Sequence, residues 1–172
     1  AAMTGGGVFV SSGSITMSSD AAISGNSAGN NGGGIYISYP GTFTMENGTI
    51  SGNSAANNGG GVYVGYGTFT MNGGTISGNT SYSNGGGVYV YSASGKFIMN
   101  GGTISNNKTT IRPGNSKPSS GGGLYVGNGK FIMINGTIKN NEAESFGGGI
   151  VVAKKGSFDM SGGTITDNKC TS

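Results

Sequence analysis

Apolar and polar residues alternate with a period of two in short segments along the chain, and the same three segments recur six times. In the first segment two aliphatic residues flank a residue that points the other way, as in Val62-Tyr63-Val64. The second ends in an apolar residue, a spacer and Met, as in Phe69-Thr70-Met71. The third has a central Ile, as in Thr75-Ile76-Ser77. This alternation predicts β-strands, and no segment is long enough for a helix.

A Gly triplet opens each of the six copies and sets the repeat length. The triplets begin, at spacings of 27, 27, 26, 36 and 26 residues, at Gly5, Gly32, Gly59, Gly85, Gly121 and Gly147. The long spacing comes from an inserted loop, residues 108–120 (KTTIRPGNSKPSS), which is rich in Pro, Ser and Thr. Repeats of this length with short strands are typical of solenoids, in which each copy packs on the next.

The sequence therefore predicts an all-β fold, a right-handed parallel β-helix of six coils with about 26 residues and three short strands per coil. Each strand would pair in parallel with its counterpart one coil on, about 4.8 Å away, so that Val lies on Val and Met on Met. A Gly triplet suits a corner that needs positive φ or a close backbone approach. We expect a single β-helix domain over residues 1–172 and interpret the chain as a piece of a longer rod.

An Asn follows the third strand in every copy, four residues after the first residue of that strand. Asn tolerates left-handed turns, and stacked amides can hydrogen-bond along the axis while they satisfy backbone groups at a corner. We predict a structural ladder formed by Asn26, Asn53, Asn79, Asn107, Asn141 and Asn168.

Composition removes most catalytic chemistry. The chain has no His, one Cys and six scattered acidic residues, so general acid–base catalysis and metal binding have few candidate side chains. We therefore predict a non-enzymatic protein with no cofactor, no metal site and no catalytic residues. A calcium-binding β-roll would need a nine-residue period with an Asp in each copy, and this sequence has neither.

Charge is scarce and unevenly spread along the chain. Residues 1–95 contain no Lys or Arg and carry a net charge of −2, whereas residues 96–172 hold all nine cations and carry +5. Dispersed single cations do not form a stripe that could follow phosphates, so we expect no nucleic-acid partner. No apolar run is long enough to cross a bilayer, so we expect no direct membrane insertion.

Aromatic residues supply the candidate ligand-binding surface. The outward residue of the first strand forms a Tyr strip of Tyr36, Tyr63, Tyr89 and Tyr125, and close beside it lie Tyr39, Tyr66 and Tyr91. If exposed, the strip would be a flat platform for sugar rings or a partner protein, but stacked Tyr residues also strengthen a sheet through cross-strand contacts. Both interpretations stay open. In the inserted loop, Arg112 is a further candidate recognition residue.

Two other functions share this kind of fold. The third strand presents hydroxyls in a regular array, as in Thr49/Ser51 and Thr75/Ser77, which is similar to ice-binding solenoids, but Ala22 and Lys139 interrupt it. Polysaccharide lyases place acidic calcium ligands and a basic catalytic residue in one cleft, and no copy supplies two acids on one face. Both functions are therefore weaker hypotheses for these residues.

The motifs GGG-[VIL]-Y-V, F-x-M and G-T-I-S-G-N at this spacing resemble the repeats of bacterial and archaeal adhesin-like surface proteins and of polymorphic outer-membrane autotransporter passengers. The resemblance covers all six copies, although the autotransporter motif GGA-[ILV] has Gly at its third position here. It implies extracellular display on a cell surface, with the signal and the anchor outside this chain.

On that basis the sequence predicts a rigid stalk that contacts a glycan or protein of a host or neighbouring cell, with a carbohydrate-binding module as the alternative. The expected partners of the rod's ends are flanking coils of the parent chain or another molecule in end-to-end association.

Overall fold

In the part of the chain that the structure describes, 24 short strands form a β-solenoid of six coils. The computed structural model describes residues 4–114, 117–153 and 155–172, and these include no helix that could cross a bilayer. Each coil contributes one strand to each of four six-stranded parallel sheets, named A to D in chain order. The sequence predicted three strands per coil, so the strand of sheet D is a correction. It has only two residues, which is too short for an alternating pattern to be read.

Each sheet has one strand from every coil, in the order coil 1 to coil 6. Sheet A holds β1 (Val8–Val10), β5 (Ile35–Ile37), β9 (Val62–Val64), β13 (Val88–Val90), β17 (Leu124–Val126) and β21 (Ile150–Val152). Sheet B holds β2 (Ser14–Met17), β6 (Thr42–Met45), β10 (Thr68–Met71), β14 (Lys96–Met99), β18 (Lys130–Met133) and β22 (Ser157–Met160). Sheet C holds β3 (Ala22–Ser24), β7 (Thr49–Ser51), β11 (Thr75–Ser77), β15 (Thr103–Ser105), β19 (Thr137–Lys139) and β23 (Thr164–Thr166). Sheet D holds β4 (Ser27–Ala28), β8 (Ser54–Ala55), β12 (Thr80–Ser81), β16 (Lys108–Thr109), β20 (Glu142–Ala143) and β24 (Lys169–Cys170).

Every strand pairs in register with the same strand of the next coil, which confirms the predicted stacking of like on like. Phe69 of coil 3 lies opposite Phe97 of coil 4, and the inward Phe rings stack at centroid distances of 4.7–4.9 Å from Phe69 to Phe158. The inward residues of sheets A, B and C form one apolar column that is fully buried from coil 2 to coil 5. A chain with few bulky residues thus gains a continuous core.

The Gly triplets lie where the backbones of adjacent coils come closest. Gly59 has a φ of +67°, a conformation that side chains rarely adopt. A Cβ on the next residue, Gly60, would meet the carbonyl oxygens of Gly86 and Thr80 well inside van der Waals contact. Both reasons that the sequence suggested for Gly, positive φ and close approach, therefore apply at this corner.

The predicted Asn ladder is confirmed and occupies the corner between sheets C and D. Asn79 donates from Nδ2 to Oδ1 of Asn107 and to the carbonyl oxygen of Ile50, each at 2.9 Å. Its own Oδ1 accepts from the backbone N–H and from Nδ2 of Asn53, again at 2.9 Å. The ladder residues of coils 2–5 are at most 1% exposed, so their amides satisfy backbone groups that water does not reach.

The inserted loop of coil 4 has narrower bounds than the residues 108–120 assigned to it from the sequence. Lys108–Thr109 form a strand rather than loop, and Ser120 forms isolated bridges with Asn84 and Phe146. The loop proper therefore lies within residues 110–119, of which 115–116 fall outside the described residues. The Pro and Ser pattern marked the insertion, whereas its bounds depend on pairing with neighbouring coils.

We predict that Asn79→Ala lowers the free energy of unfolding by about 2–4 kcal/mol. The substitution leaves the backbone N–H of Asn53 and the carbonyl oxygen of Ile50 buried without their partners. Urea denaturation followed by circular dichroism measures the change.

The matched control is Asn128→Ala, which removes an exposed amide in the turn after β17. We expect this variant to stay within about 0.5 kcal/mol of the unmodified chain. Losses of similar size in the two variants would contradict a structural role for the ladder.

Candidate ligand-binding surface

The outward aromatic residues of sheet A form a continuous stack along the rod. The ring centroids of Phe9, Tyr36, Tyr63, Tyr89 and Tyr125 are 4.9–5.3 Å apart, and adjacent ring planes lie within 12° of parallel. In-register pairing of the strands places these side chains directly on one another. Such cross-strand aromatic contacts stabilise the sheet.

This Tyr stack is not an exposed platform at its centre, so of the two interpretations that the sequence left open, sheet stabilisation applies there. Tyr63 is 5% exposed and Tyr89 is 9% exposed, because each ring turns its faces toward the rings of adjacent coils. Tyr91 closes the stack from outside, with its centroid 6.0 Å from that of Tyr63 and 6.2 Å from that of Tyr89. A sugar ring could not reach the faces of these side chains.

Burial also makes the stacked phenols difficult to ionise. Loss of hydration raises the pKa of Tyr89 to about 12, and the nearby Tyr125 and Tyr91 contribute in the same direction. Loss of hydration, with neighbouring Tyr residues, raises the pKa of Tyr63 well above its usual range and raises the pKa of Tyr36. Around neutral pH the stack therefore acts as packing and not as a proton donor or acceptor.

Three Tyr residues in the turns between sheets A and B stay exposed, and together they form the corner patch. Tyr39, Tyr66 and Tyr91 are 70%, 44% and 41% exposed. The Tyr66 ring lies 6.0 Å from that of Tyr91 at an angle of 83°, so it is turned out of the stack. The sequence included these three residues in the candidate ligand-binding surface, together with the strip beside them. What separates them is their position one or two residues past the strand, outside the repeated column.

The turns of the corner patch are polar, and the nearest charge is the exposed Lys96, which begins β14 directly after the turn of Tyr91. The hydroxyls of Ser92 and Ser94 lie 3.3 Å apart in the turn after Tyr91, and the exposed Asn128 lies one coil further on. Between residues 21 and 95 the one charged residue is Glu46, in the turn between sheets B and C. An aromatic surface with hydroxyl and amide neighbours can stack on the apolar face of a sugar and hydrogen-bond to its hydroxyls.

Arg112 holds the inserted loop against the rod. Its Nη2 donates to the carbonyl oxygen of Ala56 at 2.8 Å, and its guanidinium carbon lies 5.7 Å from the centre of the Tyr82 ring. Arg112 follows β16 in coil 4 and Ala56 follows β8 in coil 2, so the loop folds back past coil 3. These contacts within the chain occupy the side chain that the sequence assigned to recognition, and we leave Arg112 out of the candidate surface.

A family model of right-handed β-helix regions matches residues 2–172. The chain belongs to the right-handed β-helix family. The family match and the stacked coils together confirm the fold that the repeats predict. A search of curated proteins and of solved structures finds no match.

Opposite charges of this β-helix meet between coils at two places, although in sheet B Lys96 lies opposite another cation, Lys130. Glu142 lies between two cations, 2.7 Å from Nζ of Lys108 and 2.9 Å from Nζ of Lys169. Hydrogen bonds from Lys108 and then Lys169 lower the pKa of the Glu142 carboxyl. Lys130 pairs with Asp159 at 2.7 Å. No group of three or more acidic, Cys or His side chains converges within the described residues.

The hydroxyl array on sheet C is uneven. Ser105 is only 6% exposed, and the exposed Lys139 pairs with Ser105 and Thr166, where a continuous array would need another hydroxyl. Ala22 starts the array without a hydroxyl. This face of the β-helix therefore presents a regular hydroxyl surface only in part.

We predict that the β-helix loses stability as the pH rises from 10 to 12. An unfolded Tyr ionises near pH 10, whereas Tyr89 in the folded chain ionises at about 12, so the unfolded state loses its proton first. The stabilising contribution of the buried phenols is complete below pH 10, that of Tyr89 is lost through this interval, and that of Tyr63 goes on falling at higher pH. Urea denaturation at a series of pH values measures the decline.

The matched variant carries Tyr63→Phe and Tyr89→Phe, which keep the stacked rings and remove the titrating hydroxyls. We expect its stability to fall less steeply over the same interval. An equally steep fall in both proteins would show that other groups cause the pH dependence.

Proposed function

We propose that this β-helix is a rigid, non-enzymatic segment of an extracellular adhesin-like surface protein, with the corner patch as its contact surface. The observation that carries the proposal is the unbroken, in-register pairing of four sheets through six coils. Each coil is bonded to its neighbours on every side, which favours a stiff rod on the order of 25–30 Å long. Display on a cell surface rests on the resemblance of the repeats to those of adhesins.

The arrangement of the acidic groups supports a non-enzymatic role. Glu46 accepts a hydrogen bond from Nδ2 of Asn72 at 2.9 Å, and Glu144 accepts one from the backbone N–H of Ile111 at 2.6 Å. Glu142 is held by two Lys residues. Glu142 and Glu144 lie on either side of the buried Ala143, so this copy does place two acids on one face, contrary to the expectation from the sequence. Each of these carboxylates is nevertheless engaged in tying one coil to the next. Lyase chemistry would need acids and a base directed at one substrate.

Carbohydrate binding is the second candidate function, and the orientation of Tyr66 favours it. The ring lies at 83° to that of Tyr91 and is 44% exposed, so its face is not used up by stacking within the rod. Tyr39, one coil away, is 70% exposed and extends the aromatic surface along the axis. The three turns that carry these Tyr residues contain no charged residue, so the patch itself offers the stacking and hydrogen bonding that suit a neutral glycan.

We predict that the chain binds a neutral glycan through the corner patch and that a Tyr39→Ala, Tyr66→Ala variant binds it at least about tenfold more weakly. Tenfold corresponds to about 1.4 kcal/mol, a plausible loss for two stacking rings. A glycan array identifies the sugar, and titration calorimetry with a neutral oligosaccharide from that array measures the affinities.

Phe146→Ala serves as the control, because Phe146 is an exposed aromatic residue on another corner of the rod, beside the Gly triplet of coil 6. Tyr66→Phe should retain binding, since it keeps the ring. Unchanged affinity in the double variant, or no neutral glycan bound by the unmodified chain, would remove the carbohydrate-binding candidate and leave the stalk.

The non-enzymatic part of the proposal has its own test. We expect no increase in ultraviolet absorbance from unsaturated products when the chain is incubated with uronate polymers such as pectate and alginate, with and without calcium. A steady increase that disappears on heat denaturation would overturn the assignment.

A further inference from the structure

Eight Asn residues of this chain are followed directly by Gly, and the fold places these pairs in different surroundings. Asn-Gly is chemically reactive because the backbone nitrogen of Gly, which no side chain shields, can attack the amide carbon of the preceding Asn. The attack needs a nitrogen that can lose its proton and an amide that is free to turn toward it. Hydrogen bonds to either group slow the reaction, so the contacts of each pair determine whether it reacts.

Three of the pairs lie at Gly triplets and are held by contacts between coils. The N–H of Gly59 donates to the carbonyl oxygen of Asn84 at 3.0 Å. The side-chain amide of Asn58 donates to Oδ1 of Asn31 at 3.1 Å and accepts from Nδ2 of Asn84 at 3.3 Å. The first Gly of the triplets of coils 2 and 4 also donates to a carbonyl oxygen of the next coil. The nitrogen of these pairs therefore cannot react without breaking the pairing of two coils.

The turn between sheets B and C holds four further pairs, in two frames that differ by one residue. In coils 3 and 4 the pair begins directly after Met, as in Asn100-Gly101. The N–H of Gly101 donates to the carbonyl oxygen of Met71 at 3.3 Å, and Nδ2 of Asn100 donates to Oδ1 of Asn72 at 2.7 Å. The pair of coil 3 makes the equivalent contacts with coil 2. In this frame both the nitrogen and the amide are engaged.

In coil 5 the pair begins one residue later, so its Gly does not share the Met carbonyl. The carbonyl oxygen of Met99 accepts from the N–H groups of Ile134 and Asn135 instead. The N–H of Gly136 donates to Oδ1 of Asn135 at 2.8 Å, and it has no other acceptor among the described residues. The exposed amide of Asn135 is thus already beside the nitrogen that attacks it.

Two other pairs are free in the same sense. Gly48 of coil 2 lies in the same frame as Gly136, and Gly129 follows Asn128 in the turn between sheets A and B. Neither glycine N–H has an acceptor among the residues that the structure describes. The amides of Asn47 and Asn128 are exposed and make no hydrogen bond within this part of the chain.

We propose that Asn47, Asn128 and Asn135 convert spontaneously to Asp and isoaspartate in the folded chain. The Gly nitrogen forms a bond to the amide carbon Cγ, the Cγ–Nδ2 bond breaks, and ammonia leaves with the proton of the Gly N–H. Water then opens the resulting succinimide ring at either carbonyl, so the net reaction consumes water and releases ammonia. The reaction needs no enzyme, and this inference does not depend on the proposed function.

The conversion changes the charge of the rod. Each of the three sites gains one negative charge, so complete conversion takes the formal net charge from +3 to 0. At Asn47 the new carboxylate lies next to Glu46, in the half of the chain that has no Lys or Arg. At Asn128 it lies one coil beyond Tyr91, at the edge of the corner patch. The reactive pairs are all in turns, so the apolar column and the Asn ladder remain as they are.

Peptide mapping by mass spectrometry after prolonged incubation in mildly alkaline buffer tests the proposal. In the folded chain we expect the three free pairs to convert at least about tenfold faster than the five held pairs. Tenfold corresponds to about 1.4 kcal/mol, and the held pairs must first break hydrogen bonds. In denaturant all eight pairs should react at similar rates, because the contacts that distinguish them are lost.

A variant with Ile134→Asn and Asn135→Gly moves the pair of coil 5 into the frame of coils 3 and 4. Its turn then has the sequence Met-Asn-Gly-Gly-Thr that those two coils already have, so it should fold, and circular dichroism checks this. We expect conversion in this turn to slow to the rate at Asn100, while Asn47 and Asn128 react as before.

Any of three results would overturn the proposal. The first is conversion at Asn72 or Asn100 as fast as at Asn135 in the folded chain. The second is an unmodified Asn at any of the three free pairs after an incubation in which the denatured chain has converted. The third is an unchanged rate in the turn of the shifted variant.

Discussion

In-register parallel stacking is the constraint on which the rest of this molecule depends. Each residue lies about 4.8 Å from the equivalent residue of the next coil, so the contact that a side chain makes with its equivalent is repeated along the rod. Phe, Met, Ile and Asn gain from this repetition because rings, alkyl groups and amides can each satisfy their own kind. Like charges do not, which explains why charged residues are few and why Glu142 lies between Lys108 and Lys169 rather than in a column of acids.

The same constraint divides the outward side chains into those that pack against adjacent coils and those that are free to contact a ligand. A side chain within a column has its neighbours already in contact, and Tyr63 and Tyr89 are buried for this reason although they point outward. A side chain that departs from the column keeps its faces free, as Tyr66 does in the turn between sheets A and B, whose length varies from coil to coil. In a solenoid of this kind, recognition is therefore expected at the exceptions to the repeat and stability at its regular positions.

Much of the fold could be predicted because each coil repeats the same evidence. Six copies of the Phe-x-Met and Gly-triplet patterns specify the stacking, and the Asn four residues into the third strand specifies the ladder. The strand of sheet D could not be predicted from the sequence. Each of these strands has one small inward residue, such as Ala28 or Ser81, which is too little to show an alternation of apolar and polar positions. The exposure of the Tyr strip could not be predicted either. The alternation of apolar and polar residues shows which way a side chain points, but not how closely the side chain of the next coil covers it.

The backward reach of Arg112 has a consequence for how the rod comes apart. A solenoid normally unravels from an end, coil after coil, because every coil contacts only its immediate neighbours. Arg112 in coil 4 holds Ala56 in coil 2 and lies over Tyr82 in coil 3, so three coils share one tether. Separation of coil 4 from the rod therefore also breaks contacts with coils 2 and 3, so Arg112 couples the opening of these three coils more closely than pairing between neighbours does alone.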